Sequence, residues 1–131
     1  MINVIVSSHG DFCIEILKSA EMILGELDNC IKSVPLHHGE DLDVMKEKIS
    51  KEIQEGIFEK TLILTDLQGG TPNNAALEIL LENENIFLIC GFNFSLLIEI
   101  LSQINDPKIT NKLQDITENS KQSIMYLNEK I

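Results

Sequence analysis

The chain contains no arginine and no tryptophan. All ten basic residues among its 131 are lysines, set against 21 acidic ones, for a net charge of −11. This balance disfavours nucleic acid as a ligand, because backbone phosphates must be neutralised by cations. A phosphoryl group handled here cannot be gripped by a guanidinium fork from this chain. Backbone N–H groups, hydroxyls or a partner's cation would have to serve. Aromatic residues are also scarce, at 5 % of a chain that is 44 % hydrophobic. The core is therefore expected to be aliphatic, which suits parallel strands covered by helices on both faces. No apolar run approaches the length needed to cross a bilayer. The opening MINVIVSSHG lacks a basic segment and a cleavage signal, so no signal peptide is expected. Cys13, Cys30 and Cys90 are scattered and odd in number. They are expected to be small buried hydrophobes in a reducing compartment, not disulfides or metal ligands.

What is present is a regular alternation of short apolar runs and amphipathic stretches. The length fits one domain spanning residues 1–131. The pattern predicts a strand over Ile2–Ser7, a helix over Asp11–Leu27, a strand over Cys30–Leu36 and a second helix with Leu42, Met45, Ile49 and Ile53 on one face. A third strand over Thr61–Thr65, a helix over Pro72–Leu81 and a fourth strand over Ile86–Cys90 follow. Helices from about Phe94 to Ile104 and through Ile109, Leu113 and Ile116 complete the run. Ser123–Leu127 (SIMYL) reads as a continuation of the last helix or as a short extra strand. Such alternation implies right-handed crossovers and a parallel sheet. The economical strand order is 2-1-3-4, a doubly wound α/β fold whose winding reverses between strands one and three. Ligands bind at the carboxyl ends of strands at such a reversal.

Those two ends carry Ser8-His9-Gly10 and the stretch TDLQGGTPNN from Thr65 to Asn74. His9 and Asp66 are expected to meet there. A nucleophilic imidazole needs one nitrogen free and the other held, and a carboxylate on the second nitrogen fixes the tautomer. Taken singly, His9 also fits a loop histidine, and Asp66 a capping or Asx-turn residue. Gly69 and Gly70 allow a backbone path that side chains would block. Thr71 reads as an N-cap and Pro72 as the first helical residue. The N–H groups of Gly70, Thr71, Asn73 and Asn74 are candidates to face an anion. The Thr71 hydroxyl either caps the helix or reaches a bound phosphoryl group. The chain has no GxGxxG, GxxxxGK[ST] or GxSxG pattern, which weakens nucleotide-binding and serine-hydrolase readings. His37, His38 and Asn93 also follow strand ends. They read as loop, turn or cap residues, and His37 and Asn93 as possible partner contacts. No metal-ligand spacing accompanies the histidines, and no cofactor is expected.

The residues Ser8-His9-Gly10, Ala20–Glu26 (AEMILGE), Gly39-Glu40, Asp66 with Gly69-Gly70-Thr71-Pro72 and Asn74, and Gly91 with Asn93 occur in one order over nearly the whole chain. In this the chain resembles the enzyme IIA domains of the mannose class of the bacterial phosphoenolpyruvate-dependent sugar phosphotransferase system. The resemblance implies that His9 accepts a phosphoryl group from the histidine phosphocarrier protein and passes it to a IIB domain, serving the membrane IIC and IID components indirectly. It implies that Asp66 orients His9, and that Gly69, Gly70, Thr71 and Asn74 receive the phosphoryl oxygens. It also implies a cytoplasmic homodimer in which a C-terminal antiparallel strand, about 123–127, is exchanged. Family members often carry an aromatic beside the glycines and another after the proline. Here those places hold Gln68 and Asn73, which bear on the partner-contact surface. Two other readings compete. One is the phosphocarrier subunit serving dihydroxyacetone kinase, a branch that usually lacks the GGTP pattern seen at Gly69–Pro72. The other is a small-ligand binding module on the same fold.

Overall fold

A computed structural model describes residues 1–131. The elements run β1 (Asn3–His9), α1 (Phe12–Leu24), β2 (Ile31–Leu36), α2 (Leu42–Gln54), β3 (Thr61–Thr65), α3 (Thr71–Glu82), β4 (Ile86–Cys90), α4 (Phe94–Ser102) and α5 (Ile109–Lys121), with a 3₁₀ turn at Leu127–Glu129. The four strands are all parallel, in the order β2-β1-β3-β4. The doubly wound α/β fold expected from the strand–helix alternation is the one observed.

The period of two along the strands sorts the core into two layers. Val4, Val6, Leu62 and Leu64 point to one face and pack with α1, α4 and α5. Ile5 and Ile63 point to the other and pack with Val34, Met45 and Ile49, together with Ala75, Ala76 and Ile79 of α3. Each fully buried aliphatic side chain contributes roughly 1.5–3 kcal/mol. The central strands β1 and β3, buried on both faces, therefore form a rigid floor for whatever their ends carry.

Several boundaries differ from the sequence reading. β1 continues to His9 instead of stopping at Ser7, because Gly10 N–H still bonds to Leu36 O at 2.7 Å across the sheet. α1 stops at Leu24, not Leu27, where Gly25 adopts φ +80° and its N–H returns to Glu21 O. Glycine is the residue that takes this left-handed conformation without strain. Leu27 still packs against the core, which is why its apolar character reads as helical. Cys13 and Cys30 are buried as expected, and desolvation pushes the Cys30 thiol up to about 11. Cys90 is exposed instead, because β4 is an edge strand paired only with β3.

The tail forms no strand within the chain. Ser123–Tyr126 has no regular structure, and the backbone bonds around it are local, from Ser123 N–H to Ser120 O and from Glu129 N–H to Tyr126 O. Ile124, Met125, Tyr126 and Leu127 all lie exposed. The outer edge of β4 is open. No helix is long and apolar enough to cross a membrane.

Candidate functional site

From β1 the chain crosses to β2 on one side and later returns to β3 on the other, so the winding reverses between β1 and β3. The register pairs Ser7 with Thr65. His9, the last residue of β1, and Asp66, the first after β3, are thereby brought side by side. Asp66 Oδ2 accepts the His9 backbone N–H at 2.9 Å and lies 2.9 Å from His9 Nδ1. A carboxylate at this distance makes Nδ1 the proton-bearing nitrogen and leaves the Nε2 lone pair free. The imidazole is 47 % exposed, whereas the Asp66 side chain is only 13 % exposed. Asp66 Oδ1 is buried and has no partner in the chain, so no other donor in the chain draws on the charge that faces the ring. The two residues picked from the sequence thus meet in the way a held nucleophile requires.

The glycine loop approaches the same ring from the α3 side. Gly69 sits at φ +81°. Gly70 has an ordinary extended backbone, φ −74° and ψ 162°, and its lack of a side chain matters for space. A Cβ there would stand 2.6 Å from His9 Cε1 and 3.3 Å from Nε2. The ring therefore packs directly on the loop that opens α3.

Gly70, not Thr71, is the N-cap, and Pro72 occupies the second helical position, one place later than expected. The extended Gly70 carbonyl already accepts Asn74 N–H at 2.9 Å, the first bond of the helix. Thr71 is consequently the first helical residue, and its hydroxyl makes no cap bond. This leaves the hydroxyl available to a ligand. Of the four N–H groups expected to face an anion, two are engaged, Gly70 with Leu67 O at 3.1 Å and Asn74 with Gly70 O. Those of Thr71 and Asn73 make no bond within the chain. They are the orphan donors of a helix N-terminus, where the peptide dipoles favour negative charge. The Asn74 side chain bonds to Gly69 O at 3.2 Å and braces the loop.

The remaining predicted residues divide. Gln68 is exposed on the rim, and so are His37 and His38. Those histidines line, with His9, Asp11 and Glu40, an open cleft of about 650 Å³ beside the imidazole. Glu40 holds their loop by accepting His37 N–H at 2.7 Å and Lys48 Nζ at 2.9 Å. These contacts keep its carboxyl below the usual carboxylate range. Asn73, a possible partner contact, is committed internally, and Asn93 takes the cap role that is its other reading. Asn73 is 7 % exposed and its Oδ1 accepts the Thr65 hydroxyl at 2.7 Å. Asn93 caps α4 by accepting Leu96 N–H at 2.8 Å, and its amide donates to Ser120 O and Ser123 Oγ.

Two residues at the site have structural roles that the sequence does not indicate. Ser8 is fully buried; its hydroxyl accepts Cys13 N–H at 2.8 Å and donates to Gly10 O at 3.0 Å. It does the capping that Asp11, the formal N-cap of α1, does not. Thr65 is the other. The available signal in both cases is a hydroxyl residue at the end of an otherwise aliphatic strand.

Comparison with known proteins identifies the family. Residues 3–117 match the family model described as the PTS (phosphotransferase system) fructose IIA component. The chain is 35 % identical to the fructose-specific EIIA component of Bacillus subtilis (strain 168), over 98 % of this chain and 88 % of that protein. It is 31 % identical to the mannose-specific EIIAB component of Escherichia coli (strain K12), again over 98 % of this chain, which spans only 40 % of that longer protein. Among solved structures, the PTS IIA protein associated with the fucose utilization operon of Streptococcus pneumoniae superposes with a TM-score of 0.89 at 30 % identity. That match covers 98 % of this chain and 95 % of the other. These matches extend over nearly the whole chain, and the chain belongs to the mannose-class enzyme IIA family of the sugar phosphotransferase system.

Proposed function

We propose that the chain is a phosphocarrier in which His9 Nε2 accepts a phosphoryl group from the histidine phosphocarrier protein and hands it to a IIB domain for sugar uptake. The observation that carries the reading is the Asp66–Nδ1 contact at 2.9 Å, which holds one nitrogen of a half-exposed ring and leaves Nε2 without a partner in the chain. In the forward step the donor's P–N bond breaks as Nε2 attacks in line, and the donor imidazole keeps the departing electron pair. The His9 ring gains positive charge, which its Nδ1–H delivers towards Asp66. The N–H groups of Thr71 and Asn73 and the Thr71 hydroxyl meet the phosphoryl oxygens. Catalysis of this kind is positioning and electrostatic stabilisation. Asp11 adds a like charge near the product, largely screened by solvent. With no Arg in the chain, an acidic surface suits a donor that brings its own positive charge. His37 and Gln68, exposed on the rim, are candidate contacts for that donor.

On this reading residues 1–131 act as one cytoplasmic domain. It works as a homodimer whose tail strands are exchanged, and it serves the membrane IIC and IID components only through IIB.

Incubation with phosphoenolpyruvate, enzyme I and the phosphocarrier tests the proposal by intact mass. One acid-labile, alkali-stable phosphoryl group per chain is expected. His9→Ala should abolish it, while His37→Ala and His38→Ala keep it. Persistent labelling of His9→Ala overturns the assignment.

Asp66→Asn keeps the shape of the side chain but removes the charge that faces the ring. Phosphoryl acceptance is expected to slow by roughly 10- to 100-fold, with circular dichroism unchanged. Parental kinetics in rapid-quench measurements would show that the carboxylate charge is not needed.

A further inference from the structure

We propose that Thr65 and Asn73 are a positioning pair that fixes the phosphoryl-receiving turn of α3 relative to Asp66. The proposal rests on the phosphocarrier reading for its chemistry, but the tie itself is geometric. Thr65 ends β3 and immediately precedes Asp66. It is fully buried, and its hydroxyl donates to Asn73 Oδ1 at 2.7 Å. Asn73 is the third residue of α3, and its own N–H is one of the two unbonded donors there. One buried hydrogen bond therefore joins the residue beside the carboxylate to a residue whose N–H faces the anion position.

Beside the apolar packing of Pro72, Ala75 and Ala76, few polar ties hold this turn. Pro72 has no N–H to offer. The loop's other bonds, Gly70 N–H to Leu67 O and the Asn74 amide to Gly69 O, lie within the loop itself and do not reach the sheet. Thr65 is also anchored on its far side, where its carbonyl accepts Gly91 N–H at 2.8 Å. Its side chain is thus a fixed point to which α3 is fastened. His9 completes the figure, held by Asp66 on one side and resting on Gly70 on the other. Releasing the Thr65–Asn73 bond lets α3 shift against the ring while leaving the His9–Asp66 contact intact. Small displacements of this kind cost rate disproportionately.

Thr65→Val removes the hydroxyl at nearly constant volume and Thr65→Ser restores it. In Thr65→Val the turnover of phosphoryl transfer from the phosphocarrier is expected to fall about tenfold, with KM for the phosphocarrier unchanged because the pair is buried. Thr65→Ser should recover most of the turnover. In the unphosphorylated protein, hydrogen exchange of the Asn74 amide should accelerate about tenfold in Thr65→Val, while that of Leu64 in β3 stays the same. Should Thr65→Val fail to fold, Asn73→Ala carries the same readouts. Parental turnover, a change in KM alone, or a Thr65→Ser variant as slow as Thr65→Val overturns the positioning role. Absence of His9 labelling in the parent would instead overturn the phosphocarrier reading. The Asn74 exchange rate then still decides the tie, an unchanged rate refuting it and a faster one supporting it.

Discussion

In Gly70→Ala protein, phosphoryl acceptance by His9 is expected to fall by roughly 10²–10³-fold, with little change in melting temperature. The backbone at Gly70 has φ −74° and ψ 162°, a conformation that alanine adopts freely. The added methyl group meets the imidazole, with Cε1 at 2.6 Å and Nε2 at 3.3 Å. Something must move, and the half-exposed ring moves more easily than the first turn of α3, whose Pro72 and Asn73 are buried. Swinging the ring outward breaks the Nδ1 contact with Asp66 and carries Nε2 away from the loop that opens α3. Folding is barely affected, because the lost contact is solvent-exposed and a small unfavourable change at an N-cap is partly offset by a stiffer unfolded chain. Gly69→Ala is the informative contrast. There φ is +81° with open space around the Cβ position, so about 1 kcal/mol of backbone strain is expected and the ring is not struck. Rapid-quench labelling with thermal melts separates the two. Parental labelling rates in Gly70→Ala would mean that the ring does not rest on the loop during transfer.

The sheet order and the meeting of His9 with Asp66 were legible because each follows from patterns that few arrangements satisfy. Short aliphatic strands alternating with amphipathic helices admit few topologies, and in the order β2-β1-β3-β4 the residues that end β1 and β3 must be neighbours. Capping was less legible. Threonine and glycine have similar preferences for an N-cap, so preference does not separate Thr71 from Gly70; Gly70 takes the position, its carbonyl being the first acceptor of the helix. The path the loop must follow past His9 decides between them. Asn73 illustrates a second limit. Asparagine after a proline reads as a partner contact, and nothing nearby in sequence reveals that Thr65 supplies its partner. Cys90 reads as buried because β4 is apolar, although the expected order 2-1-3-4 already places β4 at an edge, where it is exposed.

The tail supplies the second large effect. The intact chain is expected to be a dimer at micromolar concentration, and deletion of Ile124–Ile131 is expected to give a folded monomer. Ile124, Met125, Tyr126 and Leu127 are 79, 56, 68 and 62 % exposed in the single chain. Folded monomers seldom leave such contiguous apolar surface uncovered. The outer edge of β4 has unpaired backbone groups, and beside it lies an open apolar groove bordered by Phe87, Ile89 and Leu113. Strand exchange between two copies satisfies both demands and closes with two-fold symmetry. Burying four large side chains from each tail yields roughly 12–24 kcal/mol in gross terms, against about 4–15 kcal/mol for association. A micromolar dimer needs about 8 kcal/mol net, which lies within that difference. Truncating after Ser123 preserves the hydroxyl that accepts from Asn93 and so leaves the junction of α4 and α5 in place. The core residues of both layers all precede the cut, which is why the shortened chain should keep its circular dichroism spectrum. Light scattering decides the matter. A truncated chain that remains an equally stable dimer, or an intact chain that is monomeric, would show that the tail is not the interface.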